Sequence, residues 1–133
     1  MSSEPTPPSE QPVIRTVAMP ADTNAAGDIF GGWLMSQMDL AAGTLAALTA
    51  QGRSATVAVD AMRFHRPVQV GDEVSLYASL DKVGRTSMQI HVEAWRRERH
   101  RTVSEQVTEA TFTFVALDDE GRPRPVKQSA EPG

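Results

Sequence analysis

The arrangement of hydrophobic and polar residues along this chain changes character at Gly52, from a long apolar run to clean alternation. Before it, Ile29 to Ala50 carries Phe30, Trp33, Leu34, Met35, Met38, Leu40, Leu45 and Leu48 among alanines, with no proline. The run is too long for a strand and rich in good helix formers, so it predicts a helix. Apolar side chains fall on nearly every face of it, as in a buried helix, and Gln51-Gly52 supplies the stop. After Gly52 the period becomes two. Val74, Leu76, Ala78 and Leu80 alternate with polar neighbours, as do Met88, Ile90, Val92 and Ala94, and then Ala110, Phe112, Phe114 and Ala116. Ala55 to Phe64 is a further strand, and Val13 to Met19 is a short extended stretch ended by Pro20. Turns fit at Val70-Gly71-Asp72, Val83-Gly84-Arg85, the charged stretch near Arg99, and Asp119-Glu120-Gly121.

Clean alternation means one apolar face per strand, the habit of an antiparallel sheet. That face must be covered, and the only long apolar element available is the helix. The expected fold is therefore α+β, an antiparallel sheet wrapped around one long buried helix, which is the hotdog arrangement. Residues 1–12 (MSSEPTPPSEQP) are too polar to offset their ordering entropy and read as a flexible leader. Residues 122–133, with three prolines, read as a flexible tail, leaving 13–121 as one domain.

Composition narrows the function classes. Of 133 residues, 40% are hydrophobic and 23% charged, a globular balance, and the net charge of −4 speaks against a general nucleic-acid binder. The basic run Arg96-Arg97-Glu98-Arg99-His100-Arg101 lacks stacking aromatics and reads as a charged hairpin end. There is no cysteine, so disulfides, thiolate metal sites and thiol nucleophiles are excluded. No signal peptide or membrane-length apolar run is present, which points to a cytoplasmic protein without a membrane partner. His65, His91 and His100 stand apart without ligand spacing, so no metal site is expected.

Two features could carry chemistry. Asp39 interrupts the apolar helix, where an ionised carboxylate is costly unless paired or functional. On its own it reads equally as a solvated position or a structural cap. Gly31-Gly32 at the helix start would let a ligand approach unpaired backbone N–H groups, whose partial positive charge favours an oxyanion; the same pair also permits tight packing. Asp39 lies seven or eight residues further on, roughly 10–12 Å along the axis at ~1.5 Å per residue. One helix cannot place both around a single carbonyl, whereas two antiparallel helices about a two-fold axis can. If both act, the site is shared and the dimer is obligatory.

The stretch Met19 to Asp39 (MPADTNAAGDIFGGWLMSQMD) resembles the signature of the YciA-type acyl-CoA thioesterases. Phe64-His65-Arg66-Pro67-Val68-Gln69-Val70-Gly71-Asp72 and Val83-Gly84-Arg85-Thr86-Ser87 are similar to that family as well, so the likeness spans about residues 15–125. It implies hydrolysis of acyl-CoA thioesters on a hotdog dimer, assembled as a trimer of dimers, with coenzyme A as substrate moiety and no cofactor. The family's helix carboxylate falls on Asp39, as general base or nucleophile. Its amide donor falls on Gly32 or Gly31, and its polar loop residue on Asn24. Asp28 matches the motif and is expected at the substrate or as a helix cap. Coenzyme A phosphates would be met by Arg63, Arg66, Gly84, Arg85, Thr86 and Ser87. The alternative is a non-catalytic acyl-CoA-binding hotdog module. A hotdog dehydratase fits less well, because no histidine lies in the helix region.

Overall fold

A computed structural model describes residues 5–126; the first four residues of the expected leader and residues 127–133 of the expected tail lie outside it. Five strands, β1 (Ile14–Val17), β2 (Ser54–Phe64), β3 (Glu73–Val83), β4 (Ser87–Arg97) and β5 (Ser104–Ala116), form one antiparallel sheet in the order β1-β3-β4-β5-β2. The helix α1 (Gly31–Ala50) packs across β2 to β5. It starts two residues later than the apolar run, because Phe30 at the N-cap has extended ψ. It stops at Gln51, whose left-handed φ of 52° lets its N–H reach the carbonyl of Ala47.

Leu34, Met38, Ala41, Ala42 and Ala46 bury one stripe of the helix against Leu76, Met88, Ile90, Val92, Phe112 and Phe114 of the sheet. Large sheet residues facing small helix residues let the backbones approach, and burial at ~25 cal/mol per Å² of apolar surface is the main stabilising term. The opposite face does not meet the expectation of a helix buried all round. Met35 is 39% exposed, Leu40 58% and Leu48 70%. Five strands form too narrow a sheet to wrap both sides of a 20-residue helix, so among the described residues nothing covers the other apolar face of the helix.

Alternation along the strands also has exceptions. Leu80 is 41% exposed although its register partner Ile90 is buried, and Ser75, Tyr77 and Trp95 are buried on the outer face. β2 carries two irregularities against β5. Thr56 pairs with Phe114 while Ala58 pairs with Thr113, so Val57 is an extra, outward residue. A second shift follows Asp60, where Ala61 takes φ of 58°, a left-handed conformation that costs an alanine strain.

The expected tail is in part a structural element. Residues 122–126 fold back onto the domain: the Arg124 N–H donates to the Ala116 carbonyl, and Val126 is 2% exposed. The Arg124 guanidinium donates to the carbonyls of Leu117 and Ala50, satisfying the helix C-terminus. At the far end of the sheet, Arg96 bonds Asp72 and Glu105, and Arg97 holds the β4–β5 loop by donating to the carbonyls of Glu98, Arg99 and Arg101. Part of the basic run is therefore internal structure.

Candidate active site

Asp39 lies on the uncovered side of the helix, partly exposed. It lines an open groove of about 300 Å³ with Gly32, Met35, Ser36, Thr56, Val59 and Phe112. The Thr56 hydroxyl donates to Oδ1 of Asp39 at 2.5 Å. A short bond from a hydroxyl to a carboxylate is charge-assisted and fixes the acceptor. Among the described residues Oδ2 has no hydrogen-bond partner, so it is the oxygen free to meet a ligand. The bulge at Val57 sets this up: it turns both Thr56 and Val59 inward, although they are three residues apart. Thr56 is the site residue that sequence reasoning missed. The room beside Gly43, four residues on from Asp39, is taken by the Phe114 ring, 3.7 Å from where a Cβ would sit.

The helix start has the donors the sequence promised. The first intrahelical bond runs from the Leu34 N–H to the Phe30 carbonyl, and no side chain caps the N-terminus. The amides of Gly31, Gly32 and Trp33 are thus the unspent donors of the first turn. A side chain at Gly32 would meet nothing within 4 Å, so the approach is open, whereas the Phe64 ring stands 3.4 Å from a Cβ placed on Gly31. Asp28 does not cap the helix as expected. Its N–H and carbonyl are bonded to Asn24, and its side chain is on the surface. Asn24 organises that loop: its Oδ1 accepts the N–H groups of Ala26 and Asp28 at 2.9 and 3.1 Å, and Gly27 (φ 89°) closes the turn. The carbonyl end of Asn24 is thereby occupied, and its amide is the end that can donate to a ligand.

The expected phosphate-binding residues are not gathered within one chain. Arg63 is a register partner of Glu109 and lies on the outer face of the sheet, away from Asp39. Arg66 donates to the Gln106 carbonyl and is 3.7 Å from Glu105. Gly84, Arg85, Thr86 and Ser87 form the β3–β4 turn, tied to Ala116 and Val126 at the end of the sheet near the helix C-terminus. A second cavity, about 330 Å³, opens beside the helix start between Ile29, Phe30, Gly31, Leu34, Phe64 and Val68.

The sequence model described as Thioesterase superfamily matches residues 26–103, more than half of the chain. This chain belongs to the thioesterase superfamily. An uncharacterized acyl-CoA thioester hydrolase of Zymomonas mobilis is 57% identical over 92% of this chain and 82% of its own length. The acyl-CoA thioester hydrolase YciA of Escherichia coli is 50% identical over 93% and 96%. Among solved structures, a hexameric broad specificity acyl-coenzyme A thioesterase superposes with a TM-score of 0.86 at 46% identity, over 95% of this chain and 87% of that one. The hexameric thioesterase of Yersinia pestis gives 0.85 at 51%, over 92% and 99%. Membership agrees with the hotdog architecture read from the strand and helix pattern, and with a chain that is an enzyme. No helix among the described residues is long and apolar enough to cross a membrane.

Proposed function

We propose that this thioesterase hydrolyses acyl-CoA, releasing a carboxylic acid and free coenzyme A at a site shared between two copies of the chain. The observation that carries the reading is Asp39, an ionisable group in an apolar groove, fixed at one oxygen by Thr56 and open at the other. A thioester carbonyl is electrophilic and a thiolate leaves readily, so a carboxylate and an oxyanion donor suffice. Asp39 takes a proton from water as that water adds to the carbonyl, or adds to it directly. The amide of Gly32 or Gly31 receives the oxyanion, and Asn24 donates to the carbonyl or the water. Collapse breaks the C–S bond. In the water route the proton taken by Asp39 passes to the leaving thiolate, giving coenzyme A and the acid together. In the direct route the thiolate leaves first; water then cleaves the acyl–Asp39 anhydride, which releases the acid, regenerates the carboxylate and supplies the thiol proton.

Because Gly32 and Asp39 are too far apart along one helix, the donor comes from the partner. A two-fold axis that brings them together passes midway between them, near Met35 and Ser36, both of which are exposed. The same pairing covers Leu40. The relatives described as hexameric support a trimer of such dimers here. In that assembly Arg63, Arg66, Gly84, Arg85, Thr86, Ser87 and Asp28 of different subunits would surround the nucleotide, in a cytoplasmic setting and with no cofactor.

The test is thiol release from a panel of acyl-CoAs from acetyl to palmitoyl, read with a colorimetric thiol reagent; a chain without cysteine is silent in it. Turnover that Asp39→Asn abolishes with coenzyme A affinity retained is the expected result. Binding without turnover across the panel would replace the reading with an acyl-CoA-binding module.

A further inference from the structure

The outer face of the sheet, away from the helix, holds a second cluster of reactive groups. His91 and Glu93 stand two residues apart on β4, and Glu109 on β5 is the register partner of Glu93. Nε2 of His91 lies 3.1 Å from Oε1 of Glu109 and 3.4 Å from Oε2 of Glu93. One ligand atom from each residue falls within 4.8 Å of the others.

Charge, spacing, a supporting donor and open space all bear on what this cluster holds. Glutamates directly opposite on neighbouring strands repel, so the pair calls for a cation between them. Atoms bound tetrahedrally at ~2.0–2.2 Å from a metal are about 3.3–3.6 Å apart, close to the spacings measured around His91. The buried indole of Trp95, 3% exposed, donates to Oε1 of Glu93 at 2.9 Å, which orients that carboxylate with Oε2 toward His91. Beside the cluster lies an open cavity of about 410 Å³, lined by His91, Glu109, Arg63, His65 and Thr111, with room for water or another ligand in a fourth position.

We propose that His91, Glu93 and Glu109 form a binding site for a divalent transition metal of intermediate softness, of which Zn²⁺ is the representative. An imidazole nitrogen with two carboxylate oxygens suits such an ion better than Ca²⁺ or Mg²⁺, which take oxygen alone. The site is on the face opposite the Asp39 groove, and it acts as a clamp between β4 and β5 rather than in hydrolysis. It stands independently of the proposed acyl-CoA activity.

Untagged, metal-stripped chain titrated with Zn²⁺ at pH 7.5 in a calorimeter should take up one ion per chain. Uptake should weaken at least tenfold in His91→Gln and in Glu109→Gln and persist in His65→Gln, with circular dichroism unchanged in all three. Co²⁺ should give a visible absorption band that Zn²⁺ displaces. No saturable uptake by the unmodified chain overturns the proposal. Uptake that survives both the His91 and Glu109 variants overturns it equally, by placing the ion elsewhere.

Discussion

Replacing Thr56 by Val keeps the shape of the side chain and removes only the hydroxyl that holds Oδ1 of Asp39 at 2.5 Å. A hydrogen bond to a charged group contributes about 1.5–3 kcal/mol when well shielded. Thr56 is exposed and Asp39 partly so, hence solvent screening brings the value to the bottom of that range or just below it, about 1–2 kcal/mol. If the bond holds the carboxylate in its reactive orientation, the loss falls on the chemical step, and 1–2 kcal/mol corresponds to a roughly 5- to 30-fold lower kcat. KM should change little, because the hydroxyl is committed to Asp39 rather than to substrate. Steady-state thiol release at saturating acyl-CoA measures the drop, and Thr56→Ser, which restores a hydroxyl, should recover most of the rate. Adding Thr56→Val to Asp39→Asn should cost little more, since the two act as one unit. A Thr56→Val enzyme with unchanged kcat, or with a raised KM alone, would refute the positioning argument while leaving the role of Asp39 standing.

Other consequences can be checked separately. Ala61→Gly relieves the left-handed strain at φ 58° at some cost in chain entropy, a net gain of about 0.5–1 kcal/mol, seen as a Tm increase of roughly 2–4 °C by calorimetry. Arg96→Met leaves the Asp72 carboxylate, 4% exposed, without its cation, and urea denaturation should show a loss of about 2–4 kcal/mol; an unchanged midpoint would count against the network. The hydrogen bond from Arg96 holds the Glu105 carboxyl below its usual range, so its stabilising contribution is present above the ordinary glutamate value and is lost as pH falls through the lowered one. Glu105→Gln should flatten that acid side of a Tm-against-pH curve and leave the neutral side flat. Met35→Glu sets two carboxylates face to face across the proposed axis, and sedimentation should show smaller species that no longer turn over, with far-UV dichroism retained.

In the sequence, α1 is legible from the length of its apolar run and its helix formers. The long strands and their turns are legible because a two-residue period reports a buried face directly, and in β3, β4 and β5 that period runs nearly unbroken. What escapes it is irregularity. A plain two-residue period puts Val57 and Val59 on one face of β2 and Thr56 on the other, yet Val59 and Thr56 share the groove, because the bulge at Val57 breaks the parity. A threonine in a strand looks like an ordinary β-former, so nothing flags Thr56 as a partner of Asp39. Asp28 has the residue type of a cap but not the position, since the chain makes its Asn24 turn first and enters the helix two residues later. The exposed helix face was hidden for another reason: apolar character says that a surface is covered, not that its own chain covers it. His91, Glu93 and Glu109 escaped because a search by histidine spacing overlooks carboxylates that strand pairing brings alongside.

The position of β2 in the sheet bears on how the chain is made. Among the described residues it pairs only with β5, and the end of β5 at Ala116 follows the end of β2 at Phe64 by 52 residues. At roughly 5–20 residues per second of synthesis, the finished β2 waits about 3–10 s on the ribosome with no strand beside it. The helix that precedes it waits too, because Arg124 reaches the Ala50 carbonyl only from near the end of the chain. The β3-β4-β5 meander has short loops and local pairings and can form first, with the Thr56–Asp39 contact assembled last against it. During those seconds the apolar helix and the unpaired β2 present surface open to association with other chains.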